Sequence, residues 1–248
     1  MPAMKDYLKR SRAPRYSILF ALPLLLLYEG FSALLTGSAV EGVRNGADVL
    51  LKSLFLSLGG RDGLAVFGAV LFGTGALLVW RDQRASREQL EARVFGYMLA
   101  ESAGYATLFG FVVGWLTRLV LLGPRGLAAG GAAALSLPTQ LVVSLGAGIY
   151  EELLFRVLLT GGLLWAFHAV FGTGRTASAV LAVVVSSLIF SAFHYVGALG
   201  DRFTVPSFTF RAIAGVVFSV LYVTRGLGIT AWTHALYDLG LSLLTAAG

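Results

Sequence analysis

From Ala177 to Val196 the chain runs through twenty residues without an Asp, Glu, Lys or Arg. A helix rises about 1.5 Å per residue, so a run of that length matches the ~30 Å hydrocarbon core of a bilayer. Leu64 to Trp80 is equally free of charge, and five more apolar stretches recur: Tyr16 to Leu35, Val94 to Leu122, Gln140 to about Ala169, Phe208 to Val223 and Ile229 to Leu244. Lipid supplies no hydrogen bonds to a bare backbone, which leaves helices and closed barrels as the spanning structures. Runs this long and unalternating predict helices. The expected fold class is all-α, a polytopic transmembrane helical bundle of about seven spans. Ala47 to Leu58 is short for a crossing; Val49, Leu50, Leu54, Leu58 and Lys52 fit an interfacial amphipathic helix, and the count becomes eight if it crosses. Gly123-Pro124 is read as the stop of the third span and Pro138-Thr139 as the start of the fourth, which is longer than a bilayer needs, so that either Gly161-Gly162 bends it or its end leaves the membrane.

At 57% hydrophobic and 13% charged, the composition is that of a membrane protein and not of an ordinary soluble domain. The absence of cysteine excludes disulfides, thiolate nucleophiles and cysteine-held zinc. The net charge of +6 gathers in Lys5 to Arg15 and Arg81 to Arg93. Two basic segments on one side of the bundle set orientation, which predicts a cytoplasmic N-terminus and no nucleic-acid partner.

Against this background Tyr150-Glu151-Glu152-Leu153-Leu154-Phe155-Arg156 stands out. An ionisable side chain at membrane depth costs about 2.5 to 3.5 kcal/mol on insertion scales and is by default functional, with a partner to be found. Glu152 and Arg156, four apart, share a helix face. Glu151 turns about 100° away and has no counter-ion on its own helix. Further polar residues interrupt later spans: His194 closes Phe190-Ser-Ala-Phe-His194, and His234 and Asp238 lie four apart on one face of the last span. Glu29, Glu101 and Arg211 read as interfacial or helix-packing residues, and His168 as an interface anchor.

The ordered set E-E-x-x-x-R, F-x-x-x-H and H-x-x-x-D on separate apolar helices resembles the CPBP family of intramembrane proteases, which includes the type II CAAX prenyl endopeptidases and many bacterial relatives. The resemblance covers 138–245, the expected catalytic core; 1–137 carries spans and loops with no recognised motif, and the two form one integrated membrane domain. The resemblance implies a glutamic endopeptidase in which Glu151 and His194 activate a water. It implies that His234 and Asp238 hold the oxyanion and that Glu152, Arg156 and Phe190 are supporting residues. The final motif position is often Asn in that family. Asp238 is acceptor-only when ionised, so either it is protonated or it orients His234.

No cofactor is expected on this reading. Two histidines and a glutamate would also suit a divalent metal, although no H-E-x-x-H is present and the spacing does not separate the two mechanisms. The expected partners are the lipid bilayer and a membrane-associated protein or peptide substrate, lipidated or not, and the expected setting is a bacterial inner membrane. An aspartyl intramembrane protease would need Tyr-Asp before Gly-x-Gly-Asp; here Tyr237-Asp238 follows an imperfect Gly197-Ala-Leu-Gly200-Asp201. A transporter, or an immunity or scaffold protein, would use the same helices without peptide cleavage.

Overall fold

The computed structural model describes residues 2–35, 44–86, 88–121, 135–197 and 200–247. These contain helices and no strand. They are α1 (Pro2–Arg12), α2 (Pro14–Leu35), α3 (Gly46–Gly59), α4 (Gly63–Ser86), α5 (Ala92–Val120), α6 (Leu137–Val170), α7 (Arg175–Phe193), α8 (Val205–Arg225) and α9 (Leu227–Ala247). The expected polytopic helical bundle is the fold found. The proposed stop at Gly123-Pro124 lies outside the described residues.

Six helical runs among the described residues are long and apolar enough to cross a membrane. Gly46–Ser86, one of the six, is two helices. A 3₁₀ turn at Gly60–Asp62 reverses the chain, and Phe55 on α3 meets Phe67 on α4 with ring centroids 5.2 Å apart; one straight helix would hold them roughly 18 Å apart. The short segment expected between the first two spans is therefore α3, folded back on α4. Its Ala47, Asp48 and Leu51 are buried in the protein, so its inner face is a packing face. The last expected span, α9, is absent from the six. Thr230, Thr233, His234 and Asp238 lower its hydropathy, and its Ile229, Ala231 and Ala235 are fully buried among neighbouring helices. By contrast, α4 buries only Gly63 and Phe67 and presents Leu64, Val70, Phe72 and Trp80 outward, as a lipid-facing helix does.

Two glycines set the helix spacing around the site. A Cβ on Gly148 would lie 2.6 Å from both the Ala231 carbonyl oxygen and the Ala235 Cβ, so its absence lets α9 press directly on α6. A Cβ on Gly146 would lie 2.5 Å from the Tyr28 ring and 2.7 Å from the Asn45 Cβ, which admits α2 and the start of α3. From Ala147 on, α6 widens to π-helical winding over Ala147–Glu151 and again over Leu153–Thr160. Gly161 and Gly162 continue the helix with α geometry. π-Helical turns inside α-helices are frequent at functional sites.

Several charged residues at the periphery are paired. Arg15 binds Asp82 at 3.2 Å and Glu88 at 2.9 Å, which joins the two basic segments at one end of the bundle. Glu101 receives Arg225 Nε at 2.6 Å and Nη2 at 2.8 Å, with the Tyr7 hydroxyl as a third donor. Glu29 takes Lys52 at 2.7 Å and the Tyr150 hydroxyl, and Arg211 binds Asp201. The three polar residues read as helix-packing groups thus all bridge separate segments. Residues 2–12, expected only as a basic polar stretch, form α1, which contributes Ser11 and Tyr7 to the Arg225–Glu101 cluster.

Candidate active site

The two adjacent glutamates of α6 face different neighbours. Glu152 is fully buried; its Oε2 lies 3.2 Å from Arg156 Nε, one helical turn on, and its Oε1 accepts a 2.8 Å hydrogen bond from Nδ1 of His234 on α9. Arg156 is equally buried, and its guanidinium carbon lies 4.4 Å from the Phe190 ring centroid and 5.4 Å from that of Phe218. Phe218 in turn stacks on the His234 ring at 4.3 Å. An intrahelical ion pair was the expectation for Glu152 and Arg156. The structure extends it to a third member, so that the pair also holds Nδ1–H of His234 and fixes the direction of its ring.

Glu151 points to the other side. Its Oε1 accepts a 2.8 Å hydrogen bond from Asn45 Nδ2, whereas its buried Oε2 has no hydrogen-bond partner among the described residues. The nearest basic atom is His194 Nε2 at 3.9 Å. His194 sits at the C-terminal end of α7, where its Nδ1 donates to the Phe190 carbonyl at 2.9 Å. That bond leaves the Nε2 lone pair of a neutral ring facing Glu151. The separation is too long for a hydrogen bond, and a water can sit within reach of both atoms.

A cavity of about 530 Å³ opens over these groups, lined among others by Glu151, His194, His234 and Asp238. Counting along equal straight spans leaves the two histidines roughly 10 Å apart in depth. In the structure one ring joins them: the Phe190 centroid is 4.9 Å from that of His194 and 6.4 Å from that of His234. Contacts at Gly148 and at Gly215, where a Cβ would lie 2.9 Å from Ser187 Cβ, fix the relative depths of α6, α7, α8 and α9, which residue counting does not contain. Asp238 Oδ2 stands 3.4 Å from His234 Nε2. Glu152 holds the opposite nitrogen, so the orienting role considered for Asp238 is already filled by Glu152.

The seven residues singled out by sequence thus converge. Asn45 and the Glu152–His234 link were missed. An Asn before Gly46-Ala-Asp is a legible helix cap, yet nothing in that pattern says which distant side chain it meets. His168 lies elsewhere, exposed, with its Nδ1 3.0 Å from the Thr173 carbonyl. Asp201, from the imperfect aspartyl-protease pattern, also lines the cavity but is bound by Arg211; Ala198 and Leu199 of that pattern lie outside the described residues. Among the described residues no three His, Asp or Glu side chains group so as to hold a metal ion.

Residues 133–240 match the family model of the type II CAAX prenyl endopeptidase Rce1-like proteins, which bears out the resemblance over the stretch that carries all three motifs. No curated protein and no solved structure matches the chain significantly.

Proposed function

We propose that this protein is an intramembrane glutamic endopeptidase that hydrolyses peptide bonds of a membrane-associated protein or peptide. The observation that carries the proposal is Glu151 Oε2, without a hydrogen-bond partner among the described residues, beside His194 Nε2 at 3.9 Å in a cavity walled by apolar helices. A water seated between them loses a proton to Glu151 as its oxygen attacks the substrate carbonyl carbon. General-base assistance of this kind contributes about 10²- to 10⁴-fold. The carbonyl π pair moves to oxygen, and the resulting oxyanion is met by the Nε2–H of His234 in its imidazolium form, whose Nδ1–H Glu152 holds from the other side. Collapse of the tetrahedral intermediate breaks the C–N bond, and Glu151 returns the proton to the leaving amine. In this scheme Asp238, which flanks the oxyanion position beside Nε2, is protonated and adds a second donor to it.

Phe109, Phe210 and Leu241 line the same cavity, a wall that suits an apolar substituent such as a prenyl group on the substrate. The joined basic segments support a cytoplasmic N-terminus by the positive-inside rule. A metal-dependent form of the same hydrolysis, and a transporter or scaffold that cleaves nothing, are separated from this reading by one comparison. Membrane proteomes of cells carrying the wild type or Glu151→Gln are compared, with and without a chelator. At least one membrane-associated protein should be shortened only with the wild type, chelator or not. Chelator-sensitive cleavage points to the metal form; identical proteomes contradict the protease.

A further inference from the structure

The hydrogen-bond donor to Glu151 comes from outside the family-matched segment. Asn45 is buried at the N-cap of α3, between α6 and α7. Gly146 of α6 leaves room for its Cβ, and a Cβ on the adjoining Gly46 would lie 3.2 Å from the Phe193 ring, next to His194. The start of α3 is therefore wedged against both helices that supply the acid and its histidine.

The amide is fixed on every side. Its Oδ1 accepts the Ala47 N–H at 2.9 Å, the capping bond, so Nδ2 is the end turned to Glu151 at 2.8 Å. The Asn45 backbone N–H donates to the Tyr28 hydroxyl at 3.2 Å, and that hydroxyl donates to Asp48 at 2.7 Å. Arg44 at 3.0 Å and Lys52 at 2.7 Å hold Asp48 in turn. The terminal torsion of a glutamate is broad and nearly two-fold, so nothing within Glu151 itself decides which oxygen faces His194.

We propose that Asn45 is a positioning residue for the reaction: by donating to Oε1 it reserves Oε2 of Glu151 for the water shared with His194. The proposal rests on the protease reading above, and it extends the working site into the part of the chain that carries no motif. A buried Asn that merely caps α3 would leave the chemistry untouched, and the two roles separate by substitution. Asn45→Asp and Asn45→Ser both preserve a capping oxygen. The first turns an oxygen towards Glu151, and the second withdraws the amide without adding charge.

Purified full-length variants are assayed on the cleaved substrate beside Glu151→Gln. Both Asn45 variants should lose about 10- to 100-fold in kcat with KM nearly unchanged and only a modest fall in melting temperature from the lost buried contact. Full kcat in both while Glu151→Gln is inactive overturns the role of Asn45 and leaves the protease standing. A kcat loss matched by a collapse in melting temperature also overturns it, in favour of a purely structural contact. Activity in Glu151→Gln removes the protease reading and the positioning role with it. A thermal double-mutant cycle between Asn45→Ser and Glu151→Ala tests the contact without any activity, and additive effects contradict it.

Discussion

Glu151→Gln is expected to remove peptide cleavage, by about 10²- to 10⁴-fold in kcat, while the protein stays folded. The substitution keeps the shape of the side chain, and its amide oxygen still accepts from Asn45. What disappears is the basic oxygen on the His194 side. Because Oε2 bonds to no group among the described residues, its loss breaks no structural contact there. A purified variant with a wild-type melting temperature and no turnover satisfies the expectation. Substantial turnover would remove Glu151 from the chemistry.

The second large effect falls on stability. Arg156→Ala should lower stability by about 3 to 5 kcal/mol, because it strands the Glu152 carboxylate in a site closed to solvent. Arg156→Lys should fall between, since an ammonium keeps the charge but not the planar cation over Phe190. Thermal unfolding in detergent reads both, and an unchanged melting temperature in Arg156→Ala would contradict the buried triad. The adjacent acids therefore predict opposite outcomes, activity without stability for Glu151 and stability first for the Glu152–Arg156 pair.

Much of this site is legible in the sequence because charge is so costly inside an apolar helix. Glu151, Glu152 and Arg156 mark themselves by their setting, and the 100° step between neighbours correctly sends the two acids to different faces. Helical spacing says which face a residue occupies and nothing about what meets it. The bond from Glu152 to His234 depends on α9 pressing on α6 at Gly148, a tertiary fact that no periodicity carries. Asn45 was hidden for the same reason, in a segment whose pattern suggested an interfacial helix. The π-helical winding leading to Glu151 has no composition signal, since Ala147, Gly148, Ile149 and Tyr150 are ordinary for a membrane helix. In α9 the polar residues of the site themselves reduce the apolar signal on which span counting relies.

The account turns on His194 and Glu151 meeting over one water-sized gap although they come from different helices. The natural lack of cysteine makes that meeting directly measurable. Glu151→Cys and His194→Cys can be introduced together and treated in native membranes with a bifunctional thiol reagent that spans the two side chains' combined reach. Efficient intramolecular crosslinking is predicted for this pair, and none for His168→Cys with Glu151→Cys. A 151–194 pair that stays unlinked while both thiols react singly would contradict the shared site and the hydrolytic mechanism built on it.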